Sequence, residues 1–244
     1  MEIRTILISV MTIIVVGIVL LLVYELVYKG GIISSSSPIT PKKTSVKLID
    51  ALHNGIDYAK IDTAIPPSYN EEGGIEFSYA VSIVVNDYDW SQGSDMPIVL
   101  VKGSTDLTRQ SPSITLRKGM NELHIVQDTY DSNKPGKVTV RNLPAGKMIS
   151  LVIAVKQRSM DVYVNGTLHT HLTLASLPMQ NTGPLLIADN GGWNGMIGNL
   201  IYYNYALTSD EIRALTNSKP FRDPDDVPAY GSYFNTSWWV RPQV

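Results

Sequence analysis

Cysteine is absent from the sequence, which excludes disulfides, thiolate nucleophiles and cysteine-held metals at once. Such a chain suits a reducing compartment without being confined to one. Charge is scarce as well. Asp, Glu, Lys and Arg make up 17% of the residues, against roughly 25% in an ordinary soluble domain. The formal net charge is −2, so the basic footprint of a nucleic-acid binder is missing and no nucleic acid is expected as a partner. There is no Gly-x-Ser-x-Gly nucleophile elbow, and Gly191-Gly192 lacks the lysine and helix of a phosphate-binding loop. Histidines number four. His169 and His171 share one strand face, as a metal pair would, but no third ligand accompanies them, and a solvent-facing polar stripe is the better account.

What the chain does have begins with TILISVMTIIVVGIVLLLVY, residues 5–24, an uncharged run dominated by Leu, Ile and Val. About 20 such residues at ~1.5 Å rise match a hydrocarbon core of ~30 Å. A cleaved signal peptide has an apolar core of ~7–15 residues and a small-residue cleavage site. The following ELVYKGG offers no such site. Residues 1–29 therefore read as an uncleaved transmembrane anchor, with residues 5–28 in the lipid bilayer. Lys29, Lys42 and Lys43 follow the span while Arg4 precedes it. By the positive-inside rule this balance places the large C-terminal part of a single-pass protein on the cytoplasmic side. Residues 30–43, GGIISSSSPITPKK, are too rich in Gly, Ser and Pro to fold alone and read as a linker.

From Thr44 onward, short β-branched and aromatic runs recur between turn signals, from IEFSYAVSIVVN and IVLVKG through MISLVIAVKQ to NLIYYNY. About ten strands without a long helical period predict an all-β antiparallel sandwich over residues 44–217. In MDVYVNGTLHTHLTL, Asn165-Gly166 supplies the two residues with φ > 0 that a type I′ turn requires. A two-residue loop there sets Tyr163 opposite Leu168 and Val162 opposite His169. The Asn165-Gly-Thr sequon is better read as turn chemistry than as a glycan site; the other sequon is at Asn235. Near the end, Thr208 and Glu211 form a T-x-x-E capping box ahead of Ile212 and Leu215, predicting a short C-terminal capping helix. Residues 218–244 form a tail with four prolines and several aromatics, among them Tyr233, Phe234, Trp238 and Trp239. Exposed apolar clusters of this kind mark contact sites, so these four are candidate partner-binding residues, either wrapping back over the sheet or docking on a partner.

The strand ending Tyr-Val-Asn-Gly, the following Gly-Pro-Leu-x-Ile strand and the run WNGMIGNLIYYNYALTSDEI together resemble the concanavalin A-like lectin/glucanase superfamily, and its laminin-G-like jelly rolls in particular. The likeness covers roughly residues 144–215 well and the earlier strands only in style. It implies a jelly-roll sandwich and says little of function, since the superfamily holds lectins, hydrolases, adhesion modules and inert scaffolds. Its glycosidases place two Glu and an Asp on one strand as E-x-D-x-x-E. That spacing is missing here. Glu71, Glu72 and Glu76 flank Gly73-Gly74 without the aspartate, and Asp87 and Asp89 read as solvated acids at a strand end. No catalytic residue is assigned.

Relatives also hold calcium in loops. Asp189 with Asn190, or Asp128 with Asp131, supplies hard oxygen donors for it, although Asp and Asn are ordinary turn formers. Otherwise no cofactor is expected. Trp90 and Trp193, the latter beside Asn194, lie near predicted loops; they either stack on a sugar ring or cap the core. Trp193, Asn194, Asp189, Asn190 and Trp90 are thus the candidate ligand-binding set. The reading that follows is a non-enzymatic, membrane-anchored structural or interaction protein whose sandwich contacts neighbouring proteins. Anchored, cysteine-free jelly rolls of this type are similar to minor capsid or membrane proteins of large DNA virus particles. The alternatives are a cell-surface or virion lectin binding glycans, and a degenerate glycoside hydrolase.

Overall fold

The computed structural model describes residues 3–28, 42–71, 74–89 and 94–217. The chain separates into two units, residues 1–42 and residues 43–244. Most of the linker and the whole C-terminal tail lie outside the described residues.

In the first unit a helix, α1, runs unbroken over Ile3–Tyr28. Its window Leu7–Tyr24 has a mean hydropathy of 2.9 and is long and apolar enough to cross a membrane. Apolar side chains surround the helix instead of forming one stripe, the pattern of a core helix or of a membrane span. The hydroxyl of Thr12 donates to the Ile8 carbonyl at 2.8 Å, so this polar group is satisfied within the helix.

The second unit contains fourteen strands among the described residues, in two antiparallel sheets. The first sheet has the order β1 (Ser45–Ile49), β14 (Gly195–Tyr203), β5 (Gly74–Val85), β10 (Met148–Lys156), β11 (Ser159–Val164) and β12 (Thr167–Thr173). Two short strands extend it, β2 (His53–Asn54) beside β14 and β4 (Tyr69–Glu71) beside β5. The second sheet has the order β3 (Ala59–Ile61), β13 (Leu185–Asp189), β6 (Ile98–Gly103), β7 (Gln110–Arg117), β8 (Met120–Gln127) and β9 (Gly136–Val140). Alternation builds the core between them. Phe77, Tyr79, Val81, Ile83 and Val85 of β5 point inward, with Ile149, Leu151, Ile153 and Val155 of β10. Ile114, Leu116, Leu123, Ile125, Val138 and Val140 meet them from the second sheet.

The β11–β12 hairpin turns as the sequence predicts, with Asn165 at φ 49° and Gly166 at φ 78°. The Asn165 side-chain oxygen accepts from the Ser150 amide at 2.9 Å, so the amide serves the turn. Tyr163 faces Leu168 as expected, but a bulge then shifts the register, and Val162 faces Thr170 rather than His169. One extra residue in β12 accounts for the difference.

The second helix, α2, spans Ser209–Asn217 and is capped as expected. The Thr208 amide donates to Glu211 Oε2 at 2.7 Å, and the Glu211 amide donates to Thr208 Oγ1 at 3.4 Å. The helix covers the outer face of the first sheet, where Ile212 packs with Ala80, Val152, Tyr163, Tyr203 and Leu207. The Ser78 hydroxyl fastens the approach to it, donating to the Tyr205 carbonyl and accepting from the Leu207 amide.

Burial sets how this unit responds to alkali. It pushes the phenols of Tyr202 and Tyr203 up to about 12, with Tyr205 and Glu211 adding to the shift at Tyr203. Unfolded tyrosine ionises near 10, roughly, so the unfolded chain loses these protons first. The folded state therefore keeps its full stability below pH ~10 and loses it progressively up to pH ~12. Urea midpoints measured across that range should fall, and Tyr202→Phe should blunt the fall; an unchanged midpoint at the alkaline end would contradict this.

Candidate functional site

The turn between β13 and β14 holds four of the five candidate ligand-binding residues, and its backbone is unusual. Asn190, Gly191 and Gly192 follow one another at φ 56°, 90° and 63°. The Asp189 Oδ1 atom accepts from the Asn190 amide at 2.7 Å, while Oδ2 is buried without a hydrogen bond among the described residues. Asn190 reaches across with its side-chain amide to Ser94 Oγ at 2.9 Å and the Met96 carbonyl at 3.0 Å. Asn194 is exposed, and its Oδ1 accepts from Asn86 Nδ2 at 3.3 Å. These three residues tie the turn to its neighbours. Trp90 lies outside the described residues, as do Tyr233, Phe234, Trp238, Trp239 and Asn235.

Trp193 is a correction to the ligand-binding set. Its side chain is 1% exposed and belongs to the core, and the indole Nε1–H donates to the Val84 carbonyl at 3.0 Å. It occupies a slot whose walls are glycines. A Cβ on Gly55 would stand 2.7 Å from the indole Cε2, and one on Gly195 would stand 2.5 Å from Nε1. The Trp193 amide donates to the Gly55 carbonyl at 3.0 Å, and the Gly55 amide donates to the Gly195 carbonyl at 2.8 Å. The indole thus closes one end of the sandwich and shows no face to a sugar ring.

Where β6 ends and β13 begins, a cleft of about 500 Å³ opens beside Tyr79 of β5. Lys102 and Leu185 face each other across β6 and β13 on one side of it, with Ile61, Ile65 and Pro66 on another. Lys102 Nζ donates to the carbonyl of Asn181 at 3.1 Å and to that of Gly183. Asn181 is itself fixed, donating from Nδ2 to the Lys102 carbonyl at 2.9 Å and accepting at Oδ1 from the Gly183 amide at 3.0 Å. Burial lowers the Lys102 pKa. None of these residues stands out by motif. The available signal is a single lysine ending the otherwise apolar run IVLV, followed much later by the polar stretch QNTG.

With this geometry in hand, comparison with known proteins is decisive for the family. A sequence profile of the concanavalin A-like lectin/glucanases superfamily matches residues 77–213, more than half of the chain. The chain belongs to this superfamily. No relative among curated proteins matches the sequence. Similar solved structures include HCR/D-Sa-GBL1/C, with 16% identity and a TM-score of 0.52 over 75% of this chain and 44% of that one. The binding domain of botulinum neurotoxin DC in complex with rat synaptotagmin II has 17% identity and a TM-score of 0.48 over 59% of this chain and 36% of that one. The binding domain of botulinum neurotoxin serotype D has 11% identity and a TM-score of 0.49 over 66% of this chain and 40% of that one. The match thus spans less than half the length of each neighbour. At such identities the likeness speaks for the fold alone.

The superfamily includes glucanases as well as lectins, so the position of each acid bears on catalysis. Glu76 lies on β5, 3% exposed, with Lys156 Nζ 3.8 Å from its Oε1. Asp87 and Asp89 are exposed, and Asp87 Oδ1 accepts from the Asp89 amide at 2.8 Å. That is a turn, consistent with the sequence reading. Glu72 lies outside the described residues. His171 leans on Asp161, with Nδ1 2.5 Å from Oδ1, and His169 is exposed beside it.

Calcium, which the family resemblance implies for loops, finds no matching donor set among the described residues. Among the described residues no three His, Asp or Glu side chains converge. Asp189 brings one free oxygen, but Asn190 is turned away to the loop before β6. Asp128 Oδ2 accepts from the Gln110 amide at 2.6 Å, and Asp131 caps its own turn by accepting from the Asn133 amide.

Two measurements follow. Gly55→Ala drives a methyl into the indole, and overpacking of this kind costs about 1–3 kcal/mol. Trp193→Ala leaves a cavity that costs about 3–5 kcal/mol. Urea unfolding of the full chain reads both losses, and a Gly55→Ala variant as stable as the parent would show that the slot is slack. Thermal melts with calcium and with EDTA should coincide. A site filled at 100 times its dissociation constant stabilises by ~2.7 kcal/mol, so a clear calcium-dependent rise would reveal ligands not assigned here.

Proposed function

We propose that this protein is a membrane-tethered, non-catalytic interaction module in which α1 holds the chain in a bilayer and the concanavalin A-like sandwich contacts neighbouring proteins. The observation that carries the reading is the pairing of a helix apolar on all sides with a superfamily sandwich in which Glu76 faces a lysine and Asp87 and Asp89 form a turn. Glu76, the most buried of them, faces a lysine and not a second carboxylate. The lysines that follow the span favour placing the sandwich on the cytoplasmic side. A place among the membrane or minor capsid proteins of a large virus particle is the specific form of this proposal that the sequence suggests.

Burial of Trp193 removes the best stacking surface from the lectin alternative. Cross-linking of intact membranes through surface lysines such as Lys60, Lys137 and Lys156, read by mass spectrometry, tests the proposal. Links to one or a few proteins are expected, with the chain staying in the pellet after alkaline carbonate extraction. Release into the carbonate supernatant would defeat the tether. Saturable binding on a glycan array without specific protein links would replace the interaction reading with the lectin one. Protease protection of sealed vesicles then reports the side.

A further inference from the structure

The cleft beside Tyr79 carries an imbalance that the fold does not explain. Lys102 presents an ammonium with three N–H donors. Two of them go to the carbonyls of Asn181 and Gly183. The ammonium is only partly exposed, and no Asp or Glu lines the cleft or pairs with Lys102 among the described residues. A partly buried cation with neutral acceptors alone is costly, and a counter-ion offsets that cost. Tyr79 also lines the cleft. This side chain is 2% exposed, and its hydroxyl forms no hydrogen bond among the described residues. An ammonium with a third N–H to place and a phenol with no hydrogen bond among the described residues therefore line the same cleft.

The rest of the wall is already set. Gln180 accepts from the Ser68 amide at 3.2 Å and donates to the Tyr202 hydroxyl at 3.3 Å, and Asn181 is held at both ends of its amide. Such a wall loses little freedom when a ligand arrives. Ile61, Ile65, Pro66 and Leu185 supply an apolar flank for whatever body the acceptor belongs to. One ammonium without an arginine fork suits a single negative charge better than a phosphate dianion.

We propose that this cleft binds a small organic monocarboxylate with a compact apolar body, its oxygens accepting from Lys102 Nζ and the Tyr79 hydroxyl. This goes beyond the protein-contact reading and does not depend on it; either can fail alone. The chemistry is binding only, with no bond made or broken.

The test uses the full chain in lipid nanodiscs and ligand-observed saturation-transfer NMR, with benzoate as probe, benzamide as its uncharged match, and empty nanodiscs as the blank. Benzoate should give a saturable signal, and benzamide one weaker by about tenfold, the worth of a charge-assisted contact. Lys102→Met should remove the benzoate signal while leaving the thermal midpoint within a few degrees, and Tyr79→Phe should weaken it. Equal signals from benzoate and benzamide would overturn the proposal, as would no benzoate signal at millimolar concentration or an undiminished one in a folded Lys102→Met variant. Should that variant fail to fold, the benzoate–benzamide comparison on the parent chain still decides. Inorganic phosphate displacing benzoate more strongly than acetate does would assign the site to a different anion and sink the carboxylate.

Discussion

The sandwich depends on one indole held between glycines. Trp193 donates from Nε1 to a carbonyl of β5, and its own backbone pairs with Gly55 beside β2. A single side chain thereby joins the turn after β13, the start of β14, the end of β5 and the loop after β2. The contact is possible only because Gly55 and Gly195 have no Cβ to place where the ring lies. Close packing around a large aromatic gives that end of the core its shape. Where β6 ends and β13 begins there is no such plug among the described residues, and the space stays open as the cleft beside Tyr79.

The same division between filled and open surfaces recurs on the first sheet. Its inner face meets the second sheet, and part of its outer face is spent on α2, through Ala80, Val152, Tyr163 and Ile212. The capping box decides where that helix begins, and Ser78 fixes the chain that leads into it. A helix this short gains little from its own hydrogen bonds and exists because the sheet receives Ile212. Elsewhere on that face Lys156, Asp161 and His171 lie near one another in neighbouring rows. Interaction surfaces must therefore be sought away from α2.

Local signals in the sequence were legible where the physics is local. Asn165-Gly166 dictates its turn, Thr208 and Glu211 dictate their cap, and the period-two alternation of β5 and β10 dictates an inner and an outer face. The bulge in β12 was not legible, because no residue type in LHTHL marks where an extra residue is accommodated. Strands as short as β2, β3 and β4 carry too few residues for a period to show. Trp193 was ambiguous for a different reason. Its own neighbourhood, GGWNG, reads as an exposed loop, and the slot that buries it is made by a glycine near the start of the domain. Lys102 is not legible in the sequence, because a lone lysine at a strand end is ordinary until the carbonyls around it, and the want of an acid, become visible.

One edge of the first sheet is β12, whose residues Thr167, Leu168, His169, His171 and Thr173 are all exposed. A strand edge left unpaired among the described residues is a template for another copy. Threonine and histidine hydrate well, the bulge opposite Val162 twists the ladder, and a second chain would have to strip that water to add itself. The composition of this strand is thus a guard against stacking into fibres.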